Sequence, residues 1–146
     1  MNLTKEQIKP LITLFKAHNS LTKYIKKDIS KTGFDLNEFA VLEVIYHHGA
    51  LNVQKINEKI LVAPSSLSYI LTKLQNKNLI NRETPKEDRR ATIVSLSNEG
   101  KKIAYKIFPK HYENIINLFS TLTNEEQILL SELLKKLGTS VENDLK

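Results

Sequence analysis

The chain has no cysteine. That excludes disulfides, thiolate zinc sites and any sensor that works by thiol oxidation. Glycine and proline are scarce, four of each in 146 residues, so the chain is neither linker-rich nor low in complexity. No apolar run approaches the roughly 20 residues that a membrane-spanning helix needs. The opening residues, Met1-Asn2-Leu3-Thr4-Lys5-Glu6-Gln7, are polar and lack an apolar signal core. The expectation is a soluble cytoplasmic protein with no membrane partner. Charge of one sign is only in modest excess, with 22 Lys and Arg against 16 Asp and Glu and a formal net charge of +6. That balance favours an anionic partner without specifying one.

What is present is mostly helical periodicity. Ile8, Leu11, Ile12, Leu14 and Phe15 follow helical spacing, as do Leu21, Tyr24, Ile25 and Ile29. Thr4 and Gln7 form a capping box, Pro10 shifts the start or kinks the helix, and Gly33 ends it. Asp35 caps a second helix, with Glu38 three residues on. Its body, residues 39–48, is apolar on most sides, the mark of a central buried helix, and Gly49 stops it. Val53, Ile56 and Ile60 share one face of a short element, and residues 61–63 make a tight connection. Pro64 suits the first turn of another helix, in which Leu67, Ile70, Leu71 and Leu74 point to the core. Residues 80–84 and 91–96 read as the strands of a hairpin with a basic tip, Val94 and Leu96 sharing a face. Ser97 starts a long helix that reaches about Phe119, with Pro109 as a kink. Thr123 and Glu126 box the last helix, which carries Ile128, Leu129, Leu130, Leu133, Leu134 and Leu137.

The fold class is therefore mainly α with a small β-hairpin wing. A winged helix-turn-helix lobe (residues 35–97) is flanked by N- and C-terminal helices (1–34 and 98–146) in one domain, 1–146. At 146 residues the chain is long enough for one domain with its own core and short for two.

The helix that starts at Pro64 carries an unusual outer face of Ser65, Ser66, Ser68, Tyr69 and Thr72, with Lys73 at its flank. An ordinary solvated face holds Glu and Lys at high density. Short hydroxyl side chains instead let a helix backbone come close to base edges and phosphates. Tyr69 adds reach, and Lys73 can neutralise a phosphate. The hairpin tip follows directly, with Asp88, Arg89 and Arg90. A basic ribbon suits the narrow, negative minor groove. Taken alone, an Asp88–Arg90 pair is a surface ion pair of little energy. The order of a groove-compatible helix and then a basic ribbon lets one element lie in a major groove while the other reaches the adjacent minor groove.

Asp88-Arg89-Arg90-Ala91-Thr92-Ile93-Val94-Ser95-Leu96-Ser97 resembles the wing signature of the MarR family of bacterial transcription regulators, D-x-R-x-x-x-V-x-L followed by Ser or Thr. Gly100 falls where that family often has glycine. Leu74-Gln75-Asn76-Lys77-Asn78-Leu79-Ile80-Asn81-Arg82 is similar to the family's L-x-x-K-G-L-I-x-R, with Asn78 in place of the glycine. Asparagine also tolerates the left-handed conformation at a helix C-terminus. The resemblance implies that Arg90 enters the minor groove with Asp88 orienting it, that Arg89 is a second candidate, and that Ser65, Ser66, Ser68, Tyr69 and Lys73 lie in the major groove. A narrower resemblance, to the MhqR-type subgroup that represses quinone- and catechol-handling genes, rests on Phe39-Ala40-Val41-Leu42-Glu43, Tyr46-His47-His48-Gly49, Ser66-Leu67-Ser68-Tyr69 and Ile107-Phe108-Pro109-Lys110-His111. Pro64-Ser65 departs from the Ser-Gly of that pattern.

The terminal helices carry more apolar residues than a small lobe covers, among them Leu3, Ile8, Leu11, Phe15, Leu129, Leu133 and Leu137. They cover each other within one chain, or they pair with a second copy. The family is dimeric, and a palindromic operator in double-stranded DNA demands two-fold symmetry. The family's ligand pocket implies His18, Phe39, Tyr46, His47 and His111 as candidate contacts for a small aromatic effector or quinone-type electrophile. A metal-responsive repressor is an alternative with little support, because adjacent His47 and His48 point about 100° apart on a helix. Another alternative is a winged-helix protein–protein adaptor that never touches DNA. No nucleophile–base pair, paired carboxylates or phosphate loop suggests an enzyme, and no cofactor is implied.

Overall fold

The computed structural model describes residues 5–60 and 62–145. The Thr4 cap, Leu3 and Leu61 lie outside them. The chain divides into two units, Met1–Phe108 and Pro109–Lys146.

The first unit opens with α1 (Lys5–Ser30), which runs through Pro10. Proline there removes one intrahelical donor without ending the helix. Residues 31–33 turn the chain, and Gly33 takes φ +82°. α2 (Leu36–His48) starts on the expected capping box. The Asp35 carboxylate accepts from the Asn37 and Glu38 amides at 3.0 and 2.9 Å, and the Glu38 carboxylate accepts from the Asp35 amide at 3.0 Å. Phe39, Val41, Leu42 and Ile45 of α2 are buried, so this helix is the centre of the unit, as its all-round apolar surface implies. Gly49 ends it at φ +73°.

β1 (Leu51–Asn52) follows, then α3 (Val53–Ile60) and α4 (Pro64–Asn76). The Asn52 carboxamide oxygen accepts from the Lys55 amide at 2.8 Å and caps α3. Leu67, Ile70, Leu71 and Leu74 are the buried stripe of α4. Its C-terminus is a Schellman motif. Asn78 takes φ +57°, its amide donates to the Gln75 carbonyl at 2.8 Å, and the Leu79 amide donates to the Leu74 carbonyl at 3.0 Å.

β2 (Ile80–Glu83) and β3 (Ile93–Leu96) form the wing, antiparallel, with Asn81 opposite Ser95 and Arg82 opposite Val94. The expected two-stranded ribbon is a three-stranded sheet in the order β1-β3-β2. Leu51 pairs with Val94, and the Val53 amide donates to the Thr92 carbonyl at 3.0 Å. Two residues are too few to show an alternating pattern, so β1 left no periodic signal. Val94 and Leu96 face the core with Ile56, Leu79 and Ile80.

α5 (Asn98–Phe119) begins on Ser97, whose hydroxyl accepts from the Gly100 amide at 2.9 Å and donates to the Asn78 carbonyl at 2.6 Å. One side chain thus ties the start of α5 to the end of the α4 turn. Ala104 and Phe108 of α5 are buried. α5 continues through Pro109 into the second unit. There, α6 (Asn124–Asp144) starts on the Thr123–Glu126 capping box and buries none of its side chains. Ile128, Leu129, Leu133, Leu134, Leu137 and Val141 of α6 are exposed, as are Ile8, Leu11, Ile12 and Phe15 of α1.

Candidate nucleic-acid interface

α4 turns its hydroxyl-rich face outward because its apolar stripe is buried. With Leu67, Leu71 and Leu74 buried, Ser65, Ser66, Ser68, Tyr69 and Thr72 must point outward, and all five are exposed. Tyr69 is 70% exposed, with its ring and hydroxyl both available. The Thr72 hydroxyl donates to the Ser68 carbonyl at 3.0 Å, which fixes its rotamer and leaves its oxygen free to accept. Ala63 stands at the N-cap of α4 and makes no side-chain cap bond, so the first-turn amides are unclaimed by any cap and favour an anion.

Lys73 lies at the edge of this face, half-buried and already paired. Its ammonium lies 2.9 Å from Asp35 Oδ2 and 3.3 Å from Glu38 Oε1. Lys77 donates to the same Glu38 oxygen at 2.7 Å. Glu38 is only 2% exposed at its side chain. Burial pushes its carboxyl up, but hydrogen bonds from Lys77, the Asp35 amide and Lys73 outweigh that and hold it below the usual value. Asp35 is likewise raised by burial and lowered more by the Glu38 amide and Lys73. The Asp35 hydrogen bond raises the Lys73 ammonium in turn. Sequence reasoning gave Asp35 and Glu38 only as a capping box. Their second role depends on the angle between α2 and α4, which no local pattern encodes.

In the wing, Asp88 Oδ1 accepts from the Arg90 amide at 3.0 Å, and the Ala91 amide donates to the Asp88 carbonyl at 3.2 Å. Asp88 therefore shapes the backbone at Arg90. Among the described residues, no carboxylate pairs with the side chains of Arg89 or Arg90, and both are exposed. A cavity of about 430 Å³ beside the wing is lined by Asn52, Gln54, Arg82, Asp88 and Arg90, among others. Arg82 and Gln54 are additions to the sequence-derived set. Arg82 stands on β2 and Gln54 at the start of α3, and the pairing of β3 with β2 on one side and β1 on the other brings them to the cavity that Arg90 also lines.

The candidate ligand residues separate. Phe39 is buried edge-to-face against Phe108, with centroids 5.0 Å apart. Tyr46 lies 4.9 Å from Phe108 and 5.6 Å from Tyr105. Tyr46 borders a cavity of about 400 Å³ that reaches Asn81, Ser95, Lys101 and Tyr105. His18 and His47 are exposed, and His111 is buried in the second unit. Among the described residues, no three His, Cys, Asp or Glu gather to hold a metal, and no helix is long and apolar enough to cross a membrane.

This arrangement has relatives. A family profile described as MarR family matches residues 34–92, the segment from the α2 cap to the wing. The HTH-type transcriptional regulator MhqR of Bacillus subtilis is 37% identical over 136 residues, covering 93% of this chain and 94% of its own. AbsC, a MarR family transcriptional regulator from Streptomyces coelicolor, has the same fold, with a TM-score of 0.85 at 23% identity over 98% of this chain and 99% of its own. NadR in complex with 4-hydroxyphenylacetate shares it with a TM-score of 0.73 at 23% identity over 94% of this chain and 97% of its own. The chain belongs to the MarR family of DNA-binding, winged helix-turn-helix transcription regulators.

Proposed function

We propose that the chain acts as a cytoplasmic, homodimeric repressor that reads a palindromic operator and leaves it when a small aromatic ligand or quinone-type electrophile engages the protein. The observation that carries this reading is the coexistence of two unspent surfaces on one lobe. The outer face of α4 (Ser65, Ser66, Ser68, Tyr69 and Thr72) is hydroxyl-rich and carries no charge. Arg89 and Arg90 stand in the wing without carboxylate partners among the described residues. The first face fits the major groove and the second fits the minor groove. An adaptor would more naturally expose an apolar groove there.

Dimerisation rests on the exposed apolar stripes of α1 and α6, which a second copy would cover. In this reading residues 1–34 and 98–146 pair the protomers, and residues 35–97 carry the DNA-reading lobe. The aromatic effector is supported by the likeness to NadR, whose structure holds 4-hydroxyphenylacetate, and by the similarity to MhqR. Tyr46 is the candidate best placed to meet such a ligand, because it borders an open cavity while Phe39 is closed into the core. With no cysteine in the chain, release comes either from non-covalent binding of the aromatic compound or from modification of lysine or histidine by the electrophile, and either route would make the repressor responsive to quinone stress.

The test is selection of bound fragments from random double-stranded DNA, repeated with catechol and with benzoquinone. The expected result is an inverted repeat with half-sites about one helical turn apart, and loss of recovery with the aromatic compounds. Enrichment of no common sequence would overturn the sequence-specific reading.

A further inference from the structure

Asp35 divides its carboxylate between two tasks. Oδ1 accepts from the Asn37 and Glu38 amides and caps α2. Oδ2 accepts from the Lys73 ammonium at 2.9 Å. Glu38, the buried member of the cluster, is already served by Lys77 at 2.7 Å and by the Asp35 amide at 3.0 Å. The Asp35–Lys73 pair is the exposed edge of the cluster, with side chains 52% and 38% accessible. It borders a notch of about 390 Å³ whose other walls include Ser65, Ser66 and Tyr69, and so it opens onto the outer face of α4. A negative charge therefore sits on a surface that reads a polyanion, holding the nearest lysine of the reading helix.

We propose that Asp35 is an intramolecular counter-ion for Lys73, and that a DNA phosphate entering this notch competes with Asp35 Oδ2 for the Lys73 ammonium. This deepens the DNA reading above and rests on it. An exposed ion pair is weak, so a phosphate can displace it. The contest sets affinity below the maximum the α4 surface allows, and it hides one phosphate contact from the salt dependence of binding.

Asp35→Asn separates the two tasks. Asparagine caps a helix as well as aspartate does, so the Oδ1 bonds and α2 remain, while Oδ2 gives way to an amide that does not hold Lys73, which keeps only its longer 3.3 Å contact with Glu38, a carboxylate that Lys77 already serves at 2.7 Å. Binding to a selected operator fragment is measured by fluorescence anisotropy across a KCl series, with a thermal melt to confirm the fold. D35N is expected to bind about three- to tenfold tighter at moderate salt, with the log–log salt slope steeper by about one. Lys73→Ala is expected to cost more affinity in the D35N background than in the wild-type background, by about the factor gained. A D35N protein that melts normally and binds no tighter overturns the proposal. A gain that survives Lys73→Ala also overturns it, because Asp35 then acts on DNA by direct repulsion. A wild-type chain that binds no selected fragment overturns the DNA reading itself.

Discussion

Gly100 in the first turn of α5 packs directly onto the carbonyl of Leu79, so that a Cβ at Gly100 would overlap that oxygen. The Ser97 amide donates to the same carbonyl at 3.0 Å. The wing root and the start of α5 are therefore clamped backbone to backbone, and there is no flexible side chain to yield. Gly100→Ala is expected to destabilise the fold by about 1–3 kcal/mol, the usual cost of forcing a methyl into a closed contact. Urea unfolding measures it. A midpoint equal to wild type would show that the clamp gives way freely.

Arg90→Ala is expected to cost about 1–3 kcal/mol in operator binding, with an unchanged melt, because the side chain is exposed and makes no ion pair among the described residues. Titration of a labelled operator checks it. Undiminished affinity in a correctly folded dimer removes the wing from the mechanism.

Asp88 offers a sharper discrimination. Its carboxylate accepts from the Arg90 backbone amide, and asparagine supplies the same acceptor. Asp88→Asn should therefore bind operator within about twofold of wild type, whereas Asp88→Ala should lose an appreciable part of the Arg90 contribution. If Asp88→Asn is as damaging as Asp88→Ala, the charge on Asp88, and not its acceptor, is what positions Arg90.

The α2–α4 cluster predicts an acid response. The carboxyls of Asp35 and Glu38 lie below their ordinary values of 3.8 and 4.5 in the folded chain. Their stabilisation is complete above those values and is lost as pH falls through the lower folded ones. The melting temperature should hold steady between about pH 5 and pH 8 and drop below about pH 4. Glu38→Gln should destabilise the neutral protein on the order of 1–3 kcal/mol, with the gap to wild type closing as pH falls. A gap that does not change with pH would mean that Glu38 acts through packing alone.

Much of this was legible in the amino-acid order, for identifiable reasons. The α4 stripe of Leu67, Ile70, Leu71 and Leu74 follows one helical period, and its burial forces the hydroxyl residues outward. The caps at Asp35 and Thr123 are short-range chemistry. Asn78 announced a left-handed residue and takes one. What stayed hidden depends on contacts between distant segments. β1 exists because Leu51 and Asn52 find Val94 and Ile93. The Lys73–Asp35 pair spans 38 residues, and so the ion pair that holds Lys73, a candidate phosphate contact, left no local signal. The role of Gly100 was visible as a residue preference, but its cause, the Leu79 carbonyl, was not.

The exposed stripe on α6 bears on assembly. Leu133 and Leu137 lie one turn apart, and both are exposed in the single chain. Replacing both with glutamate should convert a dimer into monomers in sedimentation and weaken operator binding by at least about tenfold, since only one half-site is then held at a time. Unchanged sedimentation would move the dimer contact elsewhere.

The most direct measurement of the central claim, that the α4 face and the wing read DNA together, is the affinity for a selected inverted-repeat operator across about 50 to 300 mM KCl. The account predicts a linear fall of log affinity with log salt, with a slope worth several phosphate contacts. That slope should become shallower by about one when Arg90 is changed to Ala. A flat response, or a slope indifferent to Arg90, would contradict it.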